Sequence, residues 1–385
     1  MSNYLDFLEN KPLFYDEIDY DRMPKIWQKI KSNFSIPKII HIIGTNGKGT
    51  TGRFLAWHLF KSGYQVGHYS SPHILEFNER IWINGENSEE GKLQEAHEFL
   101  LKILSKDDVE ALSYFEYTTL MAIYIFQECD YAVMEAGMGG EFDATNVFEK
   151  VLSLVTTIDL DHQDFLGNSI EEIAYTKLKS IKNRAIIGQQ IDEKIFQIAK
   201  MLQQDKNIEI KKYSDFVNRY DKIKVKKLAE KKSWPDFIKD NLLLSVAAIK
   251  FLGMRLNYSH FNDIELFGRF QKVDENIVVD VGHNVLAAER VKEALKDKKV
   301  VLIYNSYKDK EYEEILNILK PTIKRVEILP INSTRVEDQN ILQNTLNRLK
   351  LENRIFEKID KKEEYLVFGS FSVVEEFLKG YMFER

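Results

Sequence analysis

The residues best suited to chemistry form a glycine-rich segment near the N-terminus, Gly44-Thr45-Asn46-Gly47-Lys48-Gly49-Thr50. Glycines allow a turn whose N–H groups face inward, and a helix that starts there adds partial positive charge. Lys48 would reach the terminal phosphates of a nucleotide, and Thr50 or Thr51 would approach its metal ion. The common P-loop has a glycine five positions before its Gly-Lys-Ser/Thr unit. Ile42 stands there, so this loop is a shorter variant. Because a plain turn would need neither the lysine nor the threonines, we predict a nucleotide phosphate site.

The segments around this loop predict the elements that position it. Lys38–Ile43 is an apolar run typical of a buried strand, and residues 51–62 have the pattern of a helix. Residues 131–134 and 151–157 predict further core strands, since they are rich in apolar and β-branched residues. Strands that alternate with helices predict a mostly parallel sheet with helices on both faces.

A second alternation of strands and helices begins near residue 266. Strands are predicted at residues 277–281, 300–304, 325–329 and 365–368, with helices such as 286–295 between them. We therefore predict the α/β class with two domains. Residues 1–265 would form a P-loop ATPase domain with a mostly parallel sheet, and residues 266–385 a smaller Rossmann-like α/β domain. The charge-rich segment 205–239 is predicted to be a solvated edge hairpin or loop.

Composition excludes several classes of protein. The chain has 385 residues, which is enough for two cores, and a formal net charge of -6, which argues against a nucleic-acid partner. Its one cysteine, Cys129, allows no intrachain disulfide and favours a reducing cytoplasm. No stretch reaches the roughly 18 apolar residues that a membrane span needs. We expect a cytoplasmic protein without nucleic-acid or membrane partners.

Further short motifs follow the glycine-rich loop in a definite order. They are Ser70-Ser71-Pro72-His73, Asn78-Glu79-Arg80, Tyr114-Phe115-Glu116, residues 135–140 with Asp143-Ala144-Thr145-Asn146, Asp161-His162, Lys177, Gly268-Arg269-Phe270, residues 280–284, Lys308-Asp309-Lys310 and Gly369-Ser370-Phe371. With the loop, they resemble the folylpolyglutamate synthase/dihydrofolate synthase family of the Mur ligase superfamily. The resemblance implies that residues 1–265 are a Mur ligase central-type ATP-binding domain and that 266–385 are the C-terminal ligase domain.

The chain departs from the family pattern at three places. Glu141 stands where the family usually has Arg, and Val285 stands where it has Pro. The family's Glu-Lys-Ala-Gly is replaced by Thr176-Lys177-Leu178-Lys179, which makes Lys179 a rival of Lys177.

The resemblance implies an ATP- and Mg²⁺-dependent ligase that joins L-glutamate to dihydropteroate, to the glutamate tail of folate, or to both. Transfer of the γ-phosphoryl group would turn a carboxylate into an acyl phosphate, which the amine then attacks, with release of ADP and phosphate. The partners would be small molecules, a pterin carboxylate and L-glutamate, and we expect a monomer.

The resemblance also implies which residues hold the metal and carry the reaction. Ser71, Glu135 and His162 would bind magnesium, with two ions expected, and Lys48, His162 and Lys177 would be catalytic. Glu135 ends a predicted strand, at the sheet edge where open α/β folds bind ligands. Lys177 would be carried as a carbamate, made with carbon dioxide.

Other residues are assigned to the nucleotide and the pterin. Asp280 would accept from ribose hydroxyls, Arg269 would bind phosphate, and Asn241 would contact the adenine. The candidates for the pterin carboxylate are Tyr114, Phe115, Glu116, Phe142, Asp143 and Ala144. Without the resemblance, the aromatic residues among them would be interpreted as core packing.

Two alternatives remain open on the sequence. One is a Mur ligase that adds an amino acid to a peptidoglycan precursor, although the 43 residues before Gly44 are too few for the extra domain that such enzymes carry. The other is a non-catalytic nucleotide switch, which would not need Glu135, His162, Arg269 and Asp280 together.

Overall fold

The computed structural model describes residues 3–12, 19–161, 163–296 and 298–383. The chain divides into two compact units. One consists of Met1–Lys231 with Ile238–Ile264, and the other of Lys232–Phe237 with Glu265–Arg385.

An eight-stranded sheet organises the first unit within the described residues. Its strand order is β4-β3-β2-β5-β1-β6-β7-β8, and all neighbours are parallel except β2 with β3 and β3 with β4. The strands are β1 (Lys38–Ile43), β2 (Val66–Tyr69), β3 (Ile81–Ile83), β4 (Glu86–Asn87), β5 (Tyr131–Glu135), β6 (Lys150–Val155), β7 (Arg184–Ile187) and β8 (Glu209–Lys212).

Helices connect and cover these strands. They are α1 (Tyr4–Glu9), α2 (Arg22–Ile30), α3 (Lys48–Lys61), α4 (Glu90–Ile103), α5 (Lys106–Ala111), α6 (Tyr114–Ile125), α7 (Gln163–Leu166), α8 (Ile170–Leu178), α9 (Lys194–Lys206), α10 (Arg219–Lys232) and α11 (Asp236–Phe251). One buried core lies around α2, α4 and α6, and another around β7, α8 and α9.

Strand register decides where a site can form in this unit. Ile42 of β1 lies opposite Glu135 of β5, and Ile43 of β1 lies opposite Val155 of β6. The carboxyl ends of these three central strands are therefore adjacent. Segments that follow them meet at one edge of the sheet, which is where parallel α/β sheets bind ligands.

The second unit contains a six-stranded sheet in the order β13-β12-β11-β14-β10-β9, again counted over the residues described. Among these described strands, only the β9–β10 pair is antiparallel. The strands are β9 (Gln271–Asp274), β10 (Ile277–Val279), β11 (Val300–Tyr304), β12 (Ile323–Ile328), β13 (Asn353–Ile355) and β14 (Tyr365–Phe368). The helices are α12 (Val285–Leu295), α13 (Tyr312–Leu319), α14 (Gln339–Arg348) and α15 (Phe371–Phe383).

The predicted α/β class with two mostly parallel sheets is confirmed. Strands β1, β11 and β14 have the predicted bounds, and the other predicted strands differ by one or two residues at one or both ends. In the part of the chain that the structure describes, no helix is long and apolar enough to cross a membrane.

The prediction for segment 205–239 was wrong. The segment contains edge strand β8, which pairs with β7 in parallel rather than in a hairpin, and then helix α10. That helix buries Val225, Leu228 and Ala229, and its buried Asp221 pairs with Lys250 of α11. The many lysines of α10 hid this narrow apolar stripe, so charge density outweighed periodicity in the prediction.

Candidate active site

The glycine-rich loop connects β1 to α3, and two of its glycines have backbones that other residues rarely adopt. Gly44 has φ of 139° and Gly47 has φ of 90°. A Cβ at Gly44 would lie 2.1 Å from the Thr156 Oγ1, and one at Gly47 would lie 2.3 Å from the Asn241 Oδ1. Both positions therefore require glycine. The second approach also places Asn241, which belongs to α11, directly against the loop.

Hydrogen bonds connect the loop to the segment that follows β6. The backbone N–H groups of Thr45 and Asn46 donate to the Thr157 carbonyl at 2.9 and 3.2 Å. The Thr45 hydroxyl donates to the Asp159 carbonyl at 2.9 Å. Helix α3 then begins at Lys48, so Gly49 and Thr50 form its first turn. A rigid loop before a helix N-terminus is the arrangement that binds phosphate.

Lys48 lies folded over this loop. Its Nζ donates to the carbonyls of Gly44 and Thr45, both at 3.2 Å, and lies 3.9 Å from the Glu135 Oε1. The side chains of Lys48 and Glu135 are only 12% and 5% exposed. The amine is therefore held beside the loop and the end of β5, in a largely buried place.

Of the three candidate metal ligands, Glu135 lies beside Lys48, and Ser71 contacts Glu135. Glu135 ends β5, and its Oε2 accepts from the Ser71 N–H at 3.3 Å, so these two residues are together. His162 lies outside the described residues. Among the residues described, no group of three His, Cys, Asp or Glu side chains could hold a metal ion. A carboxylate and a serine still fit magnesium, which takes one or two carboxylates together with substrate phosphates.

Lys177 of α8 extends toward the same loop and not into the solvent. It is 2% exposed, and its Nζ donates to the Gly44 carbonyl at 3.2 Å and to the Met138 carbonyl at 2.9 Å. Burial, together with a smaller effect of the Lys48 charge, lowers the pKa of the Lys177 ammonium to about 7. The rival Lys179 is 34% exposed and pairs with Glu141 at 2.6 Å. Lys177 is thus the lysine of this segment that reaches the loop.

In the second unit, Asp280 follows β10 and is buried. Its Oδ2 accepts from the Phe270 N–H and its Oδ1 from the Gly282 N–H, both at 2.8 Å. Burial raises the pKa of the Asp280 carboxyl above its ordinary value, and the nearby Arg269 guanidinium opposes that shift. Arg269 lies over the Phe371 ring, with 5.0 Å from the guanidinium carbon to the ring centroid. The structure therefore brings the two predicted nucleotide ligands of this unit together.

Comparison with known proteins settles the family. The Mur ligase middle domain model matches residues 42–271. A dihydrofolate synthase/folylpolyglutamate synthase of Buchnera aphidicola subsp. Schizaphis graminum is 32% identical, covering 87% of this chain and 86% of its own. One from Haemophilus influenzae is 28% identical, covering 98% and 96%. The crystal structure of Helicobacter pylori folylpolyglutamate synthetase has a TM-score of 0.79 at 38% identity, covering 99% of this chain and 98% of that chain. The chain belongs to the folylpolyglutamate synthase/dihydrofolate synthase family.

In this family member, several predicted pterin residues have structural contacts. Glu116 forms an ion pair with Arg22, with 2.9 Å from Arg22 Nη2 to Glu116 Oε2. The same carboxylate accepts from the Ser113 N–H at 2.8 Å and so caps its own helix, α6. Asp143 accepts from the N–H groups of Thr145 and Gly139 at 3.0 and 3.2 Å. These carboxylates hold the loops at this sheet edge in place.

The aromatic candidates differ in their surroundings. The Phe115 ring packs under the loop after β5, where a Cβ at Gly137 would lie 2.8 Å from it. Tyr114 lies under the Arg80 guanidinium, 5.1 Å from guanidinium carbon to ring centroid. Phe142 is 53% exposed, and its ring centroid lies 4.2 Å from that of Tyr20. Ala144 is buried. Of these four residues, Phe142 offers the most accessible surface for a flat ligand.

Sequence reasoning missed the residues that support the site through distant contacts. Arg22 and Thr157 lie outside the motifs. Met138 lies inside the 135–140 motif but acts through its backbone carbonyl, which the residue type does not mark. Thr157 is found only through β-sheet register, and Arg22 lies 94 residues from its partner.

Proposed function

We propose that this family member is an ATP- and Mg²⁺-dependent ligase that joins L-glutamate to dihydropteroate, to the glutamate tail of folate, or to both. The γ-phosphoryl group passes to the acceptor carboxylate. The glutamate amine then attacks the acyl phosphate, and ADP and phosphate are released. The observation that carries the proposal is the meeting of Lys48, Glu135 and Lys177 around one phosphate-binding loop. Such a transfer needs positioning and charge neutralisation above all. The Lys48 ammonium and a magnesium ion held by Glu135 would supply the positive charge, and Lys177 would help to position the groups.

The nucleotide ligands are proposed in three groups. Residues 45–50 surround the phosphates. The N–H donors come from the first turn of α3, because those of Thr45 and Asn46 donate to the Thr157 carbonyl. Lys48 exchanges its two carbonyl acceptors for phosphate oxygens. Asn241, already against the loop, contacts the adenine. Arg269 binds phosphate, and Asp280 accepts from ribose hydroxyls. A carboxylate with one N–H donor on each oxygen still has free lone pairs for hydroxyl donors.

Ser71, Glu135 and His162 are proposed to hold magnesium, with two ions in the working enzyme. When bound, magnesium would neutralise charge on the transferring phosphoryl group. Glu135 supplies the buried carboxylate at the end of β5, and its contact with the Ser71 N–H keeps both residues at one place. Glu135→Gln should raise the magnesium concentration that gives half-maximal rate, while leaving the ligand-free fold unchanged by circular dichroism.

Lys177 is proposed to carry a carbamate. Carbamylation joins a neutral amine to carbon dioxide and releases the amine's proton, so it requires an unprotonated lysine at working pH. Burial, which lowers the pKa of Lys177 to about 7, supplies that condition. Nuclear magnetic resonance with ¹³C-labelled carbon dioxide should show a carbamate carbon that is absent from Lys177→Ala. A short carboxylic acid should partly restore the activity of that variant, and a wild-type spectrum without the carbamate carbon would contradict the proposal.

The acceptor pockets are proposed from residues 114–116 and 142–144, with Phe142 offering its exposed ring to the pterin. The decisive assay measures phosphate release with dihydropteroate or tetrahydrofolate, each with and without L-glutamate. Release that requires a pterin carboxylate and glutamate together supports the ligase. Release with neither would support a nucleotide switch, and release only with a peptidoglycan precursor would support the other Mur-type ligase.

The remaining proposals concern organisation. Residues 1–265 are proposed to act as the Mur ligase central-type ATP-binding domain and residues 266–385 as the C-terminal ligase domain. The working form is proposed to be a cytoplasmic monomer that acts on small molecules, without nucleic-acid or membrane partners. Light scattering after size-exclusion chromatography at assay concentration tests the monomer.

A further inference from the structure

Two charged residues from separate sequence motifs, Glu141 and Lys179, lie close together. In this chain the Lys179 Nζ lies 2.6 Å from the Glu141 Oε2. The pair joins the loop after β5, residues 137–143, to the C-terminal end of α8. Both side chains are about one-third exposed, 34% for Lys179 and 32% for Glu141.

The same loop and helix end make two further contacts. The Glu141 N–H donates to the Thr176 carbonyl at 3.2 Å, and the Lys177 Nζ donates to the Met138 carbonyl at 2.9 Å. A side chain at Gly140 would be crowded here, since its Cβ would lie 3.0 Å from the Thr176 Cγ2 and 3.2 Å from the Thr176 carbonyl oxygen. The ion pair is therefore one of three interactions that connect the 137–143 loop to α8. Another is the hydrogen bond from the Lys177 Nζ to the Met138 carbonyl.

Lys177 takes its position from both sides of this contact. One of its two acceptors is the Gly44 carbonyl of the phosphate loop, and the other is the Met138 carbonyl of the 137–143 loop. If the 137–143 loop moves away from α8, Lys177 loses the second acceptor. The backbone of Glu141 is also held from the other side, because the Asn146 Nδ2 donates to its carbonyl at 2.6 Å.

We propose that Glu141 and Lys179 are positioning residues, whose ion pair fastens the 137–143 loop to α8 and so sets the place of the Lys177 amine at the phosphate loop. The importance of the Lys177 position rests on the proposed ligase function.

The test uses the full-length enzyme with Glu141→Gln, Lys179→Gln, both changes together, and the reversed pair Glu141→Lys with Lys179→Glu. Each single change should lower kcat by up to about five-fold, the factor that an exposed ion pair supplies. The KM for ATP should stay close to that of the wild type, because the contacts of the phosphate loop with Thr157 are untouched. The double neutral variant should lose no more than either single variant, and the reversed pair should recover most of the lost kcat.

Glu171→Gln is the matched control. It makes the same Glu-to-Gln change as Glu141→Gln, but in the first turn of α8, the helix whose C-terminal end carries Lys179. It breaks an exposed ion pair between Glu171 and Lys194, at 2.5 Å, that does not contact the 137–143 loop. This control should keep wild-type kcat. Equal losses in the control and in Glu141→Gln, multiplied losses in the double variant, or no recovery in the reversed pair would each overturn the inference.

Hydrogen exchange of ligand-free protein separates this inference from the proposed function. Glu141→Gln and Lys179→Gln should speed amide exchange in residues 137–143, and Glu171→Gln should not. Unchanged exchange in that loop would overturn the inference, whatever the enzyme's activity. Failure of the proposed function would show differently, as a wild-type protein that releases no phosphate with any acceptor and glutamate.

Discussion

The burial of Lys177, which the proposed carbamate requires, should lower the free energy of unfolding of the ligand-free protein. Burial brings the pKa of its ammonium to about 7, from an unfolded value of about 10.4. At about 1.4 kcal/mol per unit, that shift corresponds to a penalty of about 4–5 kcal/mol at pH 7 or below. Replacing a buried ion pair by apolar side chains of similar size often stabilises proteins by about 1–4 kcal/mol, and the Lys177 ammonium is buried against neutral carbonyls rather than a counter-ion. We therefore expect Lys177→Met to stabilise the protein at pH 7 by up to about 4 kcal/mol and to abolish ligation.

The pH dependence gives this prediction its sign. Because the pKa is lower in the folded state, the unfolded chain binds the extra proton between about pH 7 and pH 10.4. Wild-type stability from this group therefore rises with pH across that window. The advantage of Lys177→Met should be constant below pH 7 and should fall by about 1.4 kcal/mol for each unit above it.

Urea unfolding of both proteins between pH 6 and pH 9 measures this difference. The buffers must be free of carbon dioxide, metal and nucleotide, because each would bind the folded wild type and stabilise it. Lys200→Met, which removes an exposed lysine from α9, is the control and should follow the wild-type curve. Parallel stability curves for wild type and Lys177→Met between pH 7 and pH 9 would refute the assignment of a buried, neutralised amine.

Three further substitutions test other parts of the site. Lys48→Ala should abolish ATP-dependent phosphate release in the coupled assay while leaving the melting curve intact; wild-type turnover would contradict its phosphate role. Gly47→Ala should abolish ATP binding, measured by calorimetry, because its Cβ would lie 2.3 Å from the Asn241 Oδ1 and its backbone has φ of 90°. Gly91→Ala, at a position with no atom within 4 Å of the Cβ, is the control and should bind ATP normally. Arg22→Ala should lower the free energy of unfolding by about 1–3 kcal/mol, since it leaves the buried Glu116 carboxylate without its cation, and Arg22→Ala with Glu116→Gln should recover part of that loss in urea titrations. No recovery in that double variant would mean that the ion pair is not the cause.

The fold was predictable where local pattern and burial agree. The Ile-rich run before the glycine loop has the composition that a central parallel strand demands, and β1 has the predicted bounds. The loop itself was predictable because its glycines, lysine and threonines are contiguous. Segment 205–239 failed because α10 needs only a narrow apolar stripe among many lysines.

The contacts of the candidate site were less predictable, since they depend on direction and on distant partners. Lys177 and Lys179 are two residues apart in one motif, yet one is buried at the phosphate loop and the other pairs with Glu141 at the surface. On a helix, residues two apart do not share a face, but sequence alone does not say which of them faces inward. Glu116 shows the other limit, because its partner Arg22 lies in a different helix.

A single carbonyl oxygen connects the two lysines of the site. Both Lys48 and Lys177 donate to the Gly44 carbonyl at 3.2 Å, so two amines share one neutral acceptor. This proximity explains why the Lys48 charge helps to lower the pKa of Lys177. Phosphates that drew Lys48 away and added negative charge would favour the protonated form of Lys177 and oppose its carbamate. Magnesium beside Glu135 would offset that charge. In the proposed ligase, the carbamate and the metal should therefore stabilise each other once the nucleotide is bound.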